Sequence, residues 1–345
     1  MGFEGWDKII IKTKEGNEID GIAPIIISAS RSTDIPAFYS EWFMKRLKDG
    51  YVKWINPFNR QSQYISFEKA RVIVFWTKNA KPLIPYLSEL NKMDINYYFT
   101  FTLNDYENEG LEPNVPKLED RIETFKNLSE TIGKERVIWR FDPLIISDKL
   151  TIDDLIRKIY KVGNEIHDFT EKLVISFADI MTYGKVKKNL LSADLANYRE
   201  FSNDEMIQIA KGLQKLNFEW KLEIASCSED VDLNEFGVKH NRCIDDKLMI
   251  RLFKKDDVLM KFLEYGQNKQ PLFVFADTHK QKDNDLKDKG QRKICGCIVS
   301  KDIGQYNTCM HLCVYCYANH SKKLVENNDM KHKKFGNDCD SILCE

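Results

Sequence analysis

The chain has 345 residues, of which 43% are hydrophobic and 12% aromatic, and its formal net charge is -1. This length and composition are typical of a globular protein with a large core, and they exclude wholesale disorder. The balanced charge disfavours a nucleic-acid binder that depends on a broad basic field. No apolar run approaches the roughly 20 residues of a membrane span, and the N-terminus has no signal-peptide core. We therefore expect a cytoplasmic protein without a membrane partner.

Short apolar, β-branched runs recur along the chain, and each is followed by polar residues and then by a helical pattern. The predicted strands are 24–30, 71–77, 96–102, 136–142, 172–178 and 221–227, with further candidates at 271–277 and 295–300. The predicted helices are 37–49, 81–93, 117–132, 151–168 and 203–216. Continuous apolar strands separated by amphipathic helices indicate an α/β fold with a parallel sheet covered by helices.

These βα units predict a full or partial TIM-like barrel that spans residues 1–320. The competing open, doubly wound sheet normally has a glycine-rich first turn, and the first turn here, SASRSTDIP, contains no G-x-G-x-x-G. A charged stretch at 253–293 indicates a polar insertion or lid, and the polar tail at 321–345 is expected to be loosely ordered.

Polar side chains follow the predicted strands in unit after unit. In a barrel these positions converge on the carboxyl-terminal mouth, where barrel enzymes hold their catalytic groups. They are Arg31, Asp34, Thr77, Lys78, Asn79, Asn104, Asp105, Arg140, Asp142, Asp179 and Glu229. For any single one of these positions, the need for a polar residue where the strand enters a loop is an equally good explanation. Arg140 and Asp142 stand out because alternation would point both inward from one strand, where a charged pair is costly unless it is used or satisfied.

The nine cysteines all lie between residues 227 and 344, and in a cytoplasmic protein they indicate metal ligands or reactive thiols rather than disulfides. The closest group has C-x3-C-x2-C spacing and consists of Cys309, Cys313 and Cys316. Zinc and iron–sulfur clusters both favour thiolates. A structural zinc site usually has four ligands, whereas three thiolates on a [4Fe–4S] cluster leave one iron open, so the cluster is favoured. His311 lies in this loop and keeps zinc as an alternative.

The segment from Cys309 to Cys316, CMHLCVYC, resembles the signature of radical S-adenosylmethionine (SAM) enzymes. WRFDP (139–143) and CYAN (316–319) resemble the spore photoproduct lyase branch most closely. The chain from about 24 to 320 is also similar to the domain of unknown function 1848 family. The matching blocks are 27–39, 74–83, 137–145, 227–233, 243–245 and 291–319.

The radical SAM resemblance implies a [4Fe–4S] cluster on the three cysteines, with SAM chelated by the open iron. Reduction would cleave SAM to methionine and a 5′-deoxyadenosyl radical that abstracts hydrogen from an unknown substrate. The resemblance also implies a reductant such as flavodoxin or ferredoxin, and it places Tyr315 near the adenine. Candidates for positioning SAM or substrate, or for handling a proton, are Arg31, Asp34, Lys78, Asn79, Arg140, Asp142 and Glu229, with Thr77 and Ser176 as further cofactor contacts.

The three cysteines occur later in the sequence than is usual for radical SAM enzymes, where they follow the first strand. Because barrels are cyclic, a strand and loop within residues 295–309 could close the barrel in a circularly permuted order. No counterpart of the usual glycine-rich SAM-binding segment is found.

A second iron–sulfur cluster is a further candidate, with ligands Cys227, Cys243, Cys295 and Cys297. The alternative for these thiols is that some are buried apolar residues and one is a hydrogen-atom donor. For the whole protein, two alternatives remain open. One is a zinc-stabilised barrel hydrolase or binding protein, and the other is an iron–sulfur protein that repairs or modifies nucleic acid.

Overall fold

A parallel sheet of eight strands forms the centre of the protein, in the order β11-β10-β9-β8-β7-β6-β3-β12. The computed structural model describes residues 1–345 except 1, 2, 4, 181–183, 193–197, 228, 266–285 and 345. The strands are β1 (Asp7–Lys12), β2 (Glu18–Ala23), β3 (Ile26–Ala29), β4 (Tyr51–Ile55), β5 (Ser62–Ser66), β6 (Val72–Thr77), β7 (Asn96–Thr102), β8 (Val137–Leu144), β9 (Lys172–Phe177), β10 (Glu223–Ser226), β11 (Val238–His240) and β12 (Lys301–Asp302).

The six strands predicted in sequence correspond to β3 and β6–β10, each within about two residues of its expected bounds. The α/β class and the parallel sheet are therefore confirmed. Closure into a barrel is not confirmed, because no strand ladder within the described residues joins β11 to β12. The candidate at 295–300 is not a strand and contains only an isolated bridge from Ile298 to Lys287; the two-residue β12 follows it and pairs in parallel with β3. The candidate at 271–277 lies outside the described residues.

Alternation along the central strands separates two cores. Odd-numbered residues such as Ile73, Phe75 and Phe99 pack in the larger core with helices on one face. Even-numbered residues such as Val74 and Tyr98 face the other side, in the smaller core. Strands covered on both faces lack a polar side, which explains why their sequences are continuous apolar runs.

The helices, in chain order, are α1 (Ile35–Phe38), α2 (Ser40–Asp49), α3 (Leu87–Leu90), α4 (Leu118–Ile132), α5 (Ile152–Ile166), α6 (Gly184–Ser192), α7 (Asn203–Trp220), α8 (Asp246–Leu252), α9 (Asp257–Tyr265) and α10 (Lys322–Phe335). The predictions for α4, α5 and α7 are confirmed, and capping boxes begin α5 at Thr151 and α7 at Ser202. The region 81–93 contains only α3 and short 3-10 turns. No helix in the described part of the chain is long and apolar enough to cross a membrane.

A second sheet was not predicted from the sequence. It has four strands in the order β1-β2-β5-β4, with antiparallel pairs at both edges. Strand β1 is largely exposed, and its apolar run is only three isoleucines long, Ile9, Ile10 and Ile11, between lysines. This sheet reaches the C-terminal region through Lys53, whose backbone N–H donates to Asp340 O at 2.8 Å.

Two segments expected to be polar and loosely packed contain helices. The tail includes α10, which buries Val325 and His332, and a disulfide joins Cys339 to Cys344, so the expectation of nine free thiols was wrong for this pair. The start of the 253–293 insertion forms α9, which buries Leu259 and Leu263 in the smaller core. Residues 266–285 of that insertion lie outside the described residues.

Candidate functional site

One cavity of about 500 Å³ opens at the carboxyl end of the central strands. All seven free cysteines of the described chain line it. They form two groups: the loop triplet of Cys309, Cys313 and Cys316, and the four-cysteine group of Cys227, Cys243, Cys295 and Cys297. The fold therefore brings together every thiol that the sequence proposed as a metal ligand, from segments as far apart as β10 and the loop after β12.

The sheet supplies polar and aromatic side chains to the wall of this cavity. Trp76, Thr102, Arg140, Asp142 and Ser176 continue the even-numbered face of the strands beyond the smaller core. The strand alternation therefore changes from apolar to polar along that face, and the polar end reaches the cavity. The inward orientation predicted for Arg140 and Asp142 agrees with this arrangement.

Asp34, in the segment that follows β3, holds the loop triplet in place. Its carboxylate accepts hydrogen bonds from Thr77 Oγ1 at 2.8 Å, from the Lys78 backbone N–H at 2.7 Å and from the Ala37 backbone N–H at 3.0 Å. It also pairs with His311 Nε2 at 2.8 Å. Asp34 and His311 are both buried, so the candidate acid of the sequence analysis is a fully engaged acceptor, and the candidate zinc histidine is held by it.

Close packing also holds the start of the triplet loop. The chain leaves β12 through Gly304, and a Cβ at that residue would lie 1.7 Å from Ser30 Oγ and 2.6 Å from Ser30 Cβ. The loop can approach the end of β3 this closely only without a side chain. The Asp302 carboxylate reinforces the contact by accepting from Ser28 Oγ and from the Arg31 backbone N–H, each at 2.8 Å.

Lys78 and Tyr315 belong to a buried network around Glu112. Lys78 Nζ lies 2.8 Å from Glu112 Oε1 and 2.9 Å from the Tyr315 hydroxyl, which also donates to Glu112. Asn104 Nδ2 donates to Glu112 Oε1 at 3.0 Å. Burial opposes both charges, but Lys78 and Arg121 lower the Glu112 pKa, and Glu112 raises the Lys78 pKa. The charges are therefore retained, and Tyr315 is fixed against the cavity.

The three thiols of the loop triplet are half-buried, and the donors to Cys309 and Cys316 are backbone N–H groups. Burial raises the pKa of Cys309 to about 12, and it raises the pKa values of Cys313 and Cys316 as well. These thiols are thus neutral in the metal-free protein, and a bound cation would have to displace their protons. As oriented, no group of three His, Cys, Asp or Glu side chains in the described residues could hold a metal ion.

The four-cysteine group differs because donors point at its sulfurs. Cys227 Sγ and Cys243 Sγ are 3.3 Å apart. Arg140 Nη1 donates to Cys243 Sγ at 3.0 Å, and Asn241 Nδ2 donates to Cys227 Sγ at 3.0 Å and to Cys243 Sγ at 3.1 Å. Hydrogen bonds from the neighbouring thiols, aided by Arg140, hold the Cys243 pKa well below its usual value. The pKa of its partner Cys227 is raised.

Two arginines flank the Trp76 ring at the centre of the cavity, with Arg31 at 5.5 Å and Arg140 at 5.2 Å from the ring centroid. Arg140 Nε donates to Asp142 at 2.9 Å, and Ser176 donates to the other oxygen of that carboxylate. Arg31 Nη2 is buried and has no hydrogen-bond partner. Burial opposes the Arg31 charge, yet Cys297 and Asp302 raise its pKa, so the cavity holds a guanidinium whose Nη1 lies 3.9 Å from Asp288 and whose Nη2 remains available to an anion.

Four of the predicted strand-end residues do not line the cavity: Asn79, Asn104, Asp105 and Glu229. Asn79 Oδ1 accepts from the Lys81 backbone N–H at 3.2 Å, within the turn after β6. Glu229 Oε1 accepts from the Phe177 backbone N–H at 3.2 Å, and burial raises its pKa to about 7. Thr77 does line the cavity, but its hydroxyl is engaged with Asp34.

Sequence reasoning missed three residues of the site: Trp76, Glu112 and Asn241. Trp76 ends a predicted strand, so extending the alternation of that strand could have found it. Glu112 and Asn241 lie in loops without a motif. Only their buried contacts reveal them.

A family model described as "Domain of unknown function (DUF1848)" matches residues 26–318. No curated protein matches the chain. Among solved structures, the chain is similar to a putative alpha-L-fucosidase from Bacteroides thetaiotaomicron VPI-5482, with 9% identity, coverage of 48% of this chain and 67% of that chain, and a TM-score of 0.25. A likeness at that score carries no argument about function.

Proposed function

We propose that this chain, which belongs to the family described as "Domain of unknown function (DUF1848)", is a radical SAM enzyme. One observation carries the proposal: the three thiols of a C-x3-C-x2-C loop line a cavity, and both ring nitrogens of His311 in that loop have protein partners, Nε2 the Asp34 carboxylate and Nδ1 the Asn114 carbonyl, so the histidine is not available as a fourth ligand. The proposed ligands of a [4Fe–4S] cluster are therefore Cys309, Cys313 and Cys316.

The three cysteine thiols of the loop triplet are suitable ligands for a [4Fe–4S] cluster. Thiolates are the usual protein ligands of iron–sulfur clusters, and a set of three leaves one iron for a substrate or cofactor. The three cysteines are not in disulfides, and they lie in a loop held by Asp34 and by close packing at Gly304.

The surrounding residues have roles that follow from their contacts. Tyr315 presents a ring whose hydroxyl is fixed by Glu112 and Lys78, so it offers a rigid aromatic surface for the adenine of SAM. Arg31 supplies an unpaired donor for the carboxylate of SAM or for an anionic substrate. When bound, cluster and SAM supply a 5′-deoxyadenosyl radical for hydrogen abstraction. The walls of the cavity would limit access of water to that reaction.

We also propose that the eight-stranded parallel sheet is a permuted TIM-like barrel. In support, β12 pairs in parallel with β3, with Lys301 opposite Ile27 and Asp302 opposite Ser28. The unit that leads into the loop triplet thus lies directly before the first unit in space, although it comes last in sequence. The physiological reductant would be a one-electron donor such as flavodoxin or ferredoxin.

The test uses the full chain, purified and reconstituted with iron and sulfide without oxygen. We expect dithionite reduction to give an EPR spectrum that SAM perturbs, together with formation of 5′-deoxyadenosine. A variant with Cys309→Ala, Cys313→Ala and Cys316→Ala should lose both signals. The matched control, Cys339→Ala with Cys344→Ala, removes the disulfide outside the cavity and should keep both. Stoichiometric zinc with no response to SAM would overturn the proposal.

A further inference from the structure

We propose that the four-cysteine group, Cys227, Cys243, Cys295 and Cys297, binds a second iron–sulfur cluster. This site would lie in the same cavity as the loop triplet but would share none of its ligands. The proposal goes beyond the radical SAM function and does not rest on it, because it is argued from different residues and would hold if the triplet bound nothing.

The first argument is convergence of four thiols from separate segments. Cys227 follows β10, Cys243 follows β11, and the Cys295–Cys297 segment returns beside them, where Ile298 N–H donates to Ile244 O at 3.2 Å. The fold thus places thiols up to 70 positions apart in sequence on one wall of the cavity. They remain free, although Cys227 Sγ and Cys243 Sγ are only 3.3 Å apart.

The second argument is the direction of the donors. Besides Arg140 and Asn241, the backbone N–H groups of Cys243 and Ile244 point at Cys297 Sγ, at 3.2 Å and 3.4 Å. Asn241 is buried and its Oδ1 has no partner, so its amide is oriented by the sulfurs alone. A neutral thiol is a weak acceptor, whereas a metal-bound thiolate is a good one. This donor arrangement is therefore suited to sulfurs that carry negative charge.

The third argument is charge. Arg140 contacts two of the sulfurs directly, at 3.0 Å to Cys243 and 3.6 Å to Cys227, and its only carboxylate partner within the described residues is Asp142. A cluster held by four thiolates is anionic, and a buried guanidinium beside it would offset that charge. Hydrogen bonds and charges of this kind are how proteins set cluster potentials.

An iron–sulfur cluster fits better than structural zinc. Structural zinc sites have four ligands turned toward one ion, whereas no three ligand side chains in the described residues are arranged around a single ion. The touching sulfurs of Cys227 and Cys243 would have to separate when a cluster binds.

Metal content of two complementary variants tests the proposal. After anaerobic reconstitution, the variant Cys309→Ala/Cys313→Ala/Cys316→Ala should keep about four irons and four sulfides per chain. The variant Cys227→Ala/Cys243→Ala/Cys295→Ala/Cys297→Ala should lose that cluster while keeping the SAM-perturbed EPR spectrum of the loop triplet. If the triplet variant binds no iron, or binds one zinc instead, the second cluster is ruled out. Loss of the SAM response in wild type alone would count only against the radical SAM proposal.

A second measurement covers the case in which the four-cysteine variant fails to fold. In the triplet variant, Asn241→Leu removes the amide that donates to two sulfurs. We expect the reduction potential of the remaining cluster to become more negative, because a lost N–H···S bond destabilises the reduced, more negative state. An unchanged potential at full iron content would place the cluster elsewhere and overturn the assignment.

Discussion

The two cysteine groups share one cavity but have different surroundings. Around the loop triplet, Lys78 is paired with Glu112, and His311 is hydrogen-bonded to Asp34. Around the four-cysteine group, Arg140 and Asn241 donate to the sulfurs themselves. The first environment suits a site whose charge is changed by a bound cofactor and substrate. The second suits sulfurs that carry negative charge, as the thiolate ligands of a cluster do.

We expect the largest change in SAM cleavage when one ligand from each cysteine group is substituted and the two variants are compared. Cys313→Ala should reduce SAM cleavage to background, since two thiolates would remain for a cluster with an open iron. Cys295→Ala should leave SAM cleavage measurable, because Cys295 belongs to the other group. The measurement is 5′-deoxyadenosine formed per chain under dithionite. Equal loss in both variants would mean that the two groups form one site.

The next largest effect concerns the support of the triplet loop. Asp34→Ala should lower the free energy of unfolding by about 4 kcal/mol, because four buried donors lose their acceptor. Thr77→Val removes one of these bonds and should cost about 1 kcal/mol. Urea denaturation of both variants provides the comparison. Similar costs would show that Asp34 is not the anchor of this loop.

Lys78→Met isolates the buried pair beside the triplet. It should cost about 3 kcal/mol of stability, because Glu112 would keep its charge with only the more distant Arg121 as a cation. Adding Glu112→Gln should recover part of that loss, since the uncompensated charge is removed. The double variant is compared with each single variant by urea denaturation. Additive losses would argue against direct coupling of the two side chains.

The smallest effect concerns Lys301, on the strand that connects the two groups. Burial lowers its pKa from 10.5 to about 8. Between these values the unfolded chain binds more protons, so the free energy of unfolding rises with pH across that window. Lys301→Met should remove this rise and stabilise the protein by about 1 kcal/mol at pH 7, after allowance for solvent screening. Thermal melts at pH 7 and pH 10 test this, and an unchanged pH dependence would contradict it.

Patterns in the amino-acid sequence predicted the central strands, three long helices and the candidate thiols. Strands such as β6 are covered on both faces, so their composition alone marks them. Spacing identified the loop triplet because ligands within one short loop are neighbours whatever the fold. The same reasoning missed β1, whose three isoleucines lie between lysines in a largely exposed strand. It also misjudged the C-terminal tail, where α10 has a polar composition but packs through Val325 and His332.

Which polar groups of the cavity have hydrogen-bond partners, and which lack them, became visible only in the three-dimensional arrangement of the chain. Sequence could place Asp34 and Arg31 at the same strand end, but not show that the carboxylate of Asp34 is saturated by donors while Arg31 Nη2 has none. It could not find Glu112 or Asn241, because a loop residue acquires its role from contacts made across the chain. Local patterns determine elements, whereas charge pairing in a cavity depends on distances between segments far apart in sequence.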